Sequence, residues 1–207
     1  MIVEPKQNTV SMKKFIVFAF MAMVAMAGTE AYAQQNNENG KSSAKAQRDA
    51  ERARQKAEVA FMDSLMHQSA AAAIEGRQFV LEADKVIFKR GETAYVNANT
   101  NFVLMNDDRG TVQVAFNTTF GGPNGIGGVT VDGNVSNVKT KTTKKGDINT
   151  SFSVQGIGIS AQVFLTLNRG NNEATVTITP NFNSNTLTLH GKIVPLEQSN
   201  IFKGRSL

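Results

Sequence analysis

Cysteine is absent from the 207 residues of this chain. That excludes disulfides, thiol catalysis, thiolate metal sites and a lipid-modified cysteine at an export cleavage site, so stability has to come from packing alone. Histidine is almost absent. His67 and His190 are the only two; they fall in unrelated elements, with no His-x-x-x-His pair or clustered carboxylates to complete a zinc set, and no metal site is expected. No serine sits in a nucleophile elbow, so no catalytic residue is assigned and the chain reads as a non-enzyme. Charge is sparse. Of 22 Lys+Arg and 17 Asp+Glu, three cations and two anions precede Gln34, which leaves the rest at a mild +4. Without a basic strip interleaved with aromatics, nucleic acid is not an expected partner.

The N-terminus is the most informative segment. Lys13-Lys14 precede an apolar run from Phe15 to Ala27, and Ala31-Tyr32-Ala33 stands before Gln34-Gln35. A basic region, a hydrophobic stretch of about a dozen residues and a small-x-small site make a secretory signal peptide, too short to span a bilayer. Met12 opens the basic region, so residues 1–11 read as an upstream segment. The expectation is cleavage after Ala33 and a periplasmic or secreted protein with no integral membrane segment afterwards.

Residues 34–42 are Gln, Asn, Glu, Gly, Lys and Ser and read as a disordered leader. Residues 43–76 form one helix: the stretch to Ile74 lacks Gly and Pro, Ala is dense, and Gly76 stands where a C′ glycine belongs. In the first half, Ala46, Ala50, Ala53 and Ala57 make a thin stripe among charges. In the second, Ala60, Phe61, Leu65, Ala72 and Ile74 offer a face to bury. From residue 77 to 207 the period changes to two, with turn signals every 8 to 15 residues, the pattern of antiparallel all-β structure. Strands are expected at 78–82, 85–89, 93–98, 101–106, 111–117, 128–142, 148–154, 157–167, 174–179 and 186–194. The clearest alternation is Ile157, Ile159, Ala161, Val163, Leu165 and Leu167, which predicts one buried and one mostly wet face.

Gly91, Gly110, Gly146 and Gly170 each lie among charged residues, as in short hairpin loops that need positive φ. Consecutive hairpins imply an up-and-down meander. A sheet of that many strands either closes into a β-barrel or folds over as a β-sandwich, since it does not leave both edges open. The barrel is favoured.

Several blocks also stand in a familiar order: Phe79-Val80-Leu81-Glu82-Ala83-Asp84, Val96 to Phe102, Asn106-Asp107-Asp108, Gly121 to Gly128, Gly158-Ile159-Ser160-Ala161 and Phe182-Asn183-Ser184-Asn185. Together they resemble domain-of-unknown-function family 4251, a group of exported Bacteroidales proteins, over roughly residues 60–207. The resemblance implies a lipocalin-like antiparallel barrel behind a charged helix. It brings no catalytic residue, because the family has no established activity.

The Gly-rich segment from Phe120 to Gly128 invites a phosphate-binding reading. A P-loop, however, needs Gly-Lys-Ser/Thr opening a helix, whereas Gly127-Gly128 leads into a strand with no lysine. No dinucleotide or other cofactor motif fits. The segment reads instead as a flexible rim at a barrel mouth, with Phe120, Gly122, Asn124, Ile126 and Gly128 as candidate ligand contacts. Asp107-Asp108 lacks the spacing of a calcium loop and reads as a hairpin turn. Thr175, Thr177, Thr179, Thr186 and Thr188 read as a solvated hydroxyl face, and His190 is out of phase with Leu187, Leu189 and Ile193. Two functions follow. One is a barrel that binds a small apolar or amphipathic ligand. The other is an interaction module that presents the charged helix to a cell-envelope protein. Neither cofactor nor oligomeric state is implied.

Overall fold

The computed structural model describes residues 40–116, 125–157, 159–181 and 186–206, with side chains from residue 45 onward. The chain falls into two units, Met1–Ala50 and Glu51–Leu207. Helix α1 (Gly40–Glu75) begins inside the expected leader, and its residues 45–50 are exposed. No helix among the described residues is long and apolar enough to cross a membrane.

The second unit is built on nine strands: β1 (Gln78–Phe88), β2 (Thr93–Tyr95), β3 (Phe102–Asn106), β4 (Arg109–Ala115), β5 (Gly128–Thr142), β6 (Ile148–Gln155), β7 (Ser160–Leu167), β8 (Glu173–Pro180) and β9 (Leu187–Pro195). Each of β3 to β8 pairs antiparallel with the next, and β1 pairs with both β3 and β9. The result is a closed eight-stranded, lipocalin-like barrel. β2 is a short extra strand that shares one edge of β1 with β3. The barrel reading holds, and the sandwich is excluded by the β1–β9 seam. Inward positions are mostly apolar, Thr150 being an exception, and outward ones such as Ser151, Gln162, Thr166 and Thr177 are polar, the reverse of a barrel that faces lipid.

Sequence periodicity splits β1 into two strands because its phase changes midway. Phe79, Leu81 and Ala83 face the core, then Val86 and Phe88 do. The register against β9 shifts between Ala83 and Lys85, so Asp84 is one extra residue, a β-bulge that moves the inward face from odd to even positions. Opposite it, a Cβ on Gly191 would lie 2.0 Å from the Glu82 carbonyl oxygen. Only glycine lets the strands close there. A second bulge separates Ser136 from Lys139 in β5, with Asn137 at φ 57.

Alternation in β7 is as expected, with Val163 and Leu165 buried and Gln162 and Phe164 exposed. It does not reach back to Ile157, which is 88% exposed in the β6–β7 turn. Of the four turn glycines, Gly91, Gly146 and Gly170 take positive φ. Gly110 does not: the β3–β4 turn places positive φ on Asp107, and Gly110 sits in β4, where a Cβ would meet Val135 and Val154 methyls. The left-handed residue that ends α1 is likewise Arg77 (φ 54), one past Gly76.

The core fills one end of the barrel. Phe79 and Phe152 meet edge-to-face at 6.4 Å, beside Leu81, Met105, Leu165, Leu167 and Ile193. The last turns of α1 belong to this cluster through Ala70, Ala73 and Ile74, while His67 Nδ1 lies 2.9 Å from the Asn171 carbonyl oxygen over the β7–β8 turn. Of the helix face expected to bury, Ile74 is buried and Leu65 half-buried, but Ala60, Phe61 and Ala72 are exposed. The buried stripe is rotated because the helix end, rather than its flank, meets the barrel.

Outside the barrel, the C-terminal segment is fixed by a fully buried glutamine that the pattern marks as a wet position. Gln113 Nε2 donates to the Thr100 and Phe202 carbonyls at 3.0 and 2.8 Å, and Oε1 accepts from Thr130 Oγ1 at 2.9 Å and the Gly204 amide at 2.8 Å. All four valences of the side-chain amide are used. A short 3-10 helix (Leu196–Gln198) leads into this segment, and Ser199 Oγ donates to Glu82 Oε1. Asp132 completes the attachment by accepting from Lys203 at 2.8 Å, Thr111 Oγ1 at 2.8 Å and Arg109 at 3.3 Å.

Replacing Gln113 by Leu orphans buried carbonyls and an amide, so Gln113→Leu should cost about 2 to 4 kcal/mol in urea unfolding. In a chain cut before Ser199 two of those partners are already gone. There the same substitution should cost less than half as much; equal costs would show that Gln113 does not hold the tail.

Partial burial pushes the Asp132 carboxyl up, but hydrogen bonds from Lys203 and Thr111 and the charges of Lys203 and Arg109 outweigh it and hold it below its ordinary value. A carboxylate depressed in the folded state binds protons more readily when unfolded. Its contribution is therefore complete above the unfolded pKa of about 4 and is lost as pH falls toward the folded value. The loss of urea resistance on acidification below about pH 4 should be smaller in Asp132→Asn than in the native sequence.

Candidate functional site

The opposite end of the barrel is not filled. There a cavity of about 630 Å³ opens between the ends of β1, β4 and β8 and the starts of β5, β7 and β9. Its walls are inward residues of those strands: Val112 and Val114, Val129 and Val131, Ala161, Ile178 and Leu187. Phe88 and Phe116, with ring centroids 5.4 Å apart, form one side of the rim. The space exists because the residues that reach it are small or short. At Ala161 the β7 ladder offers a methyl where Val163 and Leu165 offer bulk. Gly128 is out of phase with the inward Val129 and Val131 and lines the opening with backbone alone, since a Cβ there would lie 1.8 Å from the Val114 carbonyl oxygen.

Polar groups are confined to the rim. Lys89, Arg90 and Glu92 come from the β1–β2 turn and Thr186 from just before β9. The turn is tight, with the Gly91 amide donating to the Phe88 carbonyl at 2.8 Å and the Phe88 amide to the Glu92 carbonyl at 2.9 Å. Its two basic residues are thereby held beside the opening. Inside there is no charge among the lining residues, so the site offers apolar contact with a charged edge.

The sequence-derived site meets this cavity in part. Gly128 lines it. Ile126 is half-buried on the approach to β5 but is not a lining residue. Phe120, Gly122 and Asn124 lie outside the described residues. Thr186, expected on the hydroxyl face, is at the rim, while Thr175, Thr177 and Thr188 lie on the outer face as expected. His190 also faces outward, 3.0 Å from Thr175 Oγ1; partial burial and the Lys85 charge lower its pKa against a smaller opposing effect of Asp84. Among the described residues no three of His, Asp and Glu gather as metal ligands do. The residues that sequence reading missed include Phe88, Val114 and Leu187, each the outermost inward position of its strand at this end, and Phe116, which follows just past β4.

Comparison with known proteins gives a family and no activity. A family model described as "Domain of unknown function (DUF4251)" matches residues 62–193. A crystal structure of a DUF4251 family protein from Bacteroides eggerthii is similar at 66% identity and a TM-score of 0.62, covering 72% of this chain and 99% of that one. No curated protein matches.

An unfilled interior should accept bulk that a packed one rejects. Val114→Phe, at the cavity wall, should change unfolding free energy by less than about 1 kcal/mol, whereas Val176→Phe, fully buried between Leu165 and Leu189, should cost about 1 to 3 kcal/mol. Equal losses at the two positions would mean that the cavity is closed in solution.

Proposed function

The chain belongs to the DUF4251 family, and from that premise we propose that it is an exported, non-enzymatic barrel that binds a small apolar or amphipathic molecule in its open end. The observation that supports this most is the unequal filling of the interior: one end is packed with aromatic and aliphatic side chains, and the other leaves about 630 Å³ lined by apolar groups. That volume falls within the range of ordinary small-molecule sites. An apolar cavity of this size gains about 0.8 kcal/mol for each methylene it removes from water, without any polar contact. Export, to the periplasm or beyond the cell, rests on the signal-peptide pattern of residues 12–33.

A second reading has its own observation. On α1, Val59, Met62 and Met66 follow at i, i+3 and i+7 and are 59%, 43% and 48% exposed, with Phe61 beside them at 53%. That stripe suits an interaction module.

A neutral hydrophobic dye whose fluorescence rises in apolar surroundings should bind the exported protein, and Val114→Phe should weaken it at least about tenfold while leaving the fold intact. Removing residues 34–58 should leave dye binding unchanged if the cavity is the working part. Dye binding that ignores Val114→Phe would overturn the cavity reading.

A further inference from the structure

The charged edge of the cavity narrows the ligand class. Resting on the cavity reading above, we infer that the ligand is a single-chain amphiphile with an anionic headgroup, its tail in the barrel and its head at Arg90 and Lys89. The lining contains no charged residue except Lys89, Arg90 and Glu92, all on one turn. Among the described lining residues the mouth is therefore cationic on balance, two to one. Beneath it the walls are aliphatic and aromatic, so a charged group carried inward would lose its hydration with nothing to replace it. Only one orientation satisfies both ends.

Depth argues for one short chain. From Val112 to Phe116 is four residues, roughly 13 Å of strand, and a barrel tilt of about 40° reduces that to about 10 Å along the axis. One leaflet of a bilayer is about 15 Å of hydrocarbon. The cavity thus takes about two-thirds of a membrane acyl chain if the chain is straight. Arginine suits the head, since its planar fork matches a carboxylate or phosphate in two parallel hydrogen bonds.

The test compares dodecanoate, dodecanol and dodecylamine, below their micelle-forming concentrations, as competitors of the neutral dye on the exported protein. Dodecanoate should bind about tenfold more tightly than dodecanol, the effect of one charge-assisted hydrogen bond, and dodecylamine should be the weakest. In Arg90→Gln, and further in Arg90→Gln with Lys89→Gln, the dodecanoate advantage should shrink toward one while dodecanol affinity stays unchanged. Equal binding of acid and alcohol, or tighter binding of the amine, would overturn the headgroup assignment while leaving the cavity reading in place. If none of the three displaces a dye that itself binds inside, the single-chain ligand is wrong; if the dye does not bind, the cavity reading fails with it.

Discussion

The seam between β1 and β9 closes the sheet, and the rest of the structure depends on that closure. Nine residues of β1, from Phe79 to Phe88 with Asp84 skipped, find partners on β9, while the other edge of β1 is divided between β3 and β2. One strand thus satisfies backbone donors and acceptors along both edges, which removes the open edge that a meander would otherwise expose. The seam closes only because of two local departures from regularity that face one another. Asp84 adds a residue on one side, and Gly191 removes a side chain on the other, where the Glu82 carbonyl comes closest. Without the bulge the two halves of β1 would carry their apolar residues to opposite faces.

Closure fixes the radius, and the radius decides what the interior must do. Eight strands leave room for one layer of side chains or one small ligand. This protein does each at a different end. Large residues cluster where α1 arrives, so Ala70, Ala73 and Ile74 complete a core that the strands alone leave open at the base. Toward the other end the inward ladder thins to Ala161 and valines. The two ends are continuous, since Val112, Val114, Val131, Ala161 and Ile178 line the cavity and also belong to the same buried cluster as Phe79 and Phe152.

How much of this was legible in the sequence depends on whether a residue's role is set by its own strand. Leu165 and Val163 were placed correctly because alternation in β7 is local, and the turn glycines at 91, 146 and 170 because positive φ is a local demand. Ile157 continues the same alternation on paper, yet the chain turns before it. β1 was read as two strands because a bulge and a turn both break the period, and only the partner strand tells them apart. Gln113 is the sharpest case. Its parity is that of a wet position, and it is buried because a segment some 90 residues further on lies across it, so no local pattern signals it. The site was expected on a glycine-rich connection because glycine marks where backbone must bend. The cavity instead belongs to the apolar ends of six strands, and Gly128 joins it for a steric reason of its own.

The same distinction bears on the charges. A charged turn is ordinarily read as a solvated hairpin tip, and Lys89-Arg90-Gly91-Glu92 in isolation is one. Lys144-Lys145-Gly146-Asp147 has nearly the same composition and joins β5 to β6, so it lies at the filled end of the barrel. There a Cβ on Gly146 would have only the Arg169 side chain within reach, and the Asp147 carboxylate is occupied with the Arg169 amide and Thr143. What distinguishes the two turns is not their residues but what lies beneath them: a packed base in one case, and an unfilled apolar space in the other. Cations over a packed base face only water and one another's counterions. Cations over an apolar opening sit where a tail entering the barrel would have to leave its head, and the geometry of closure, rather than the composition of the turn, puts them there.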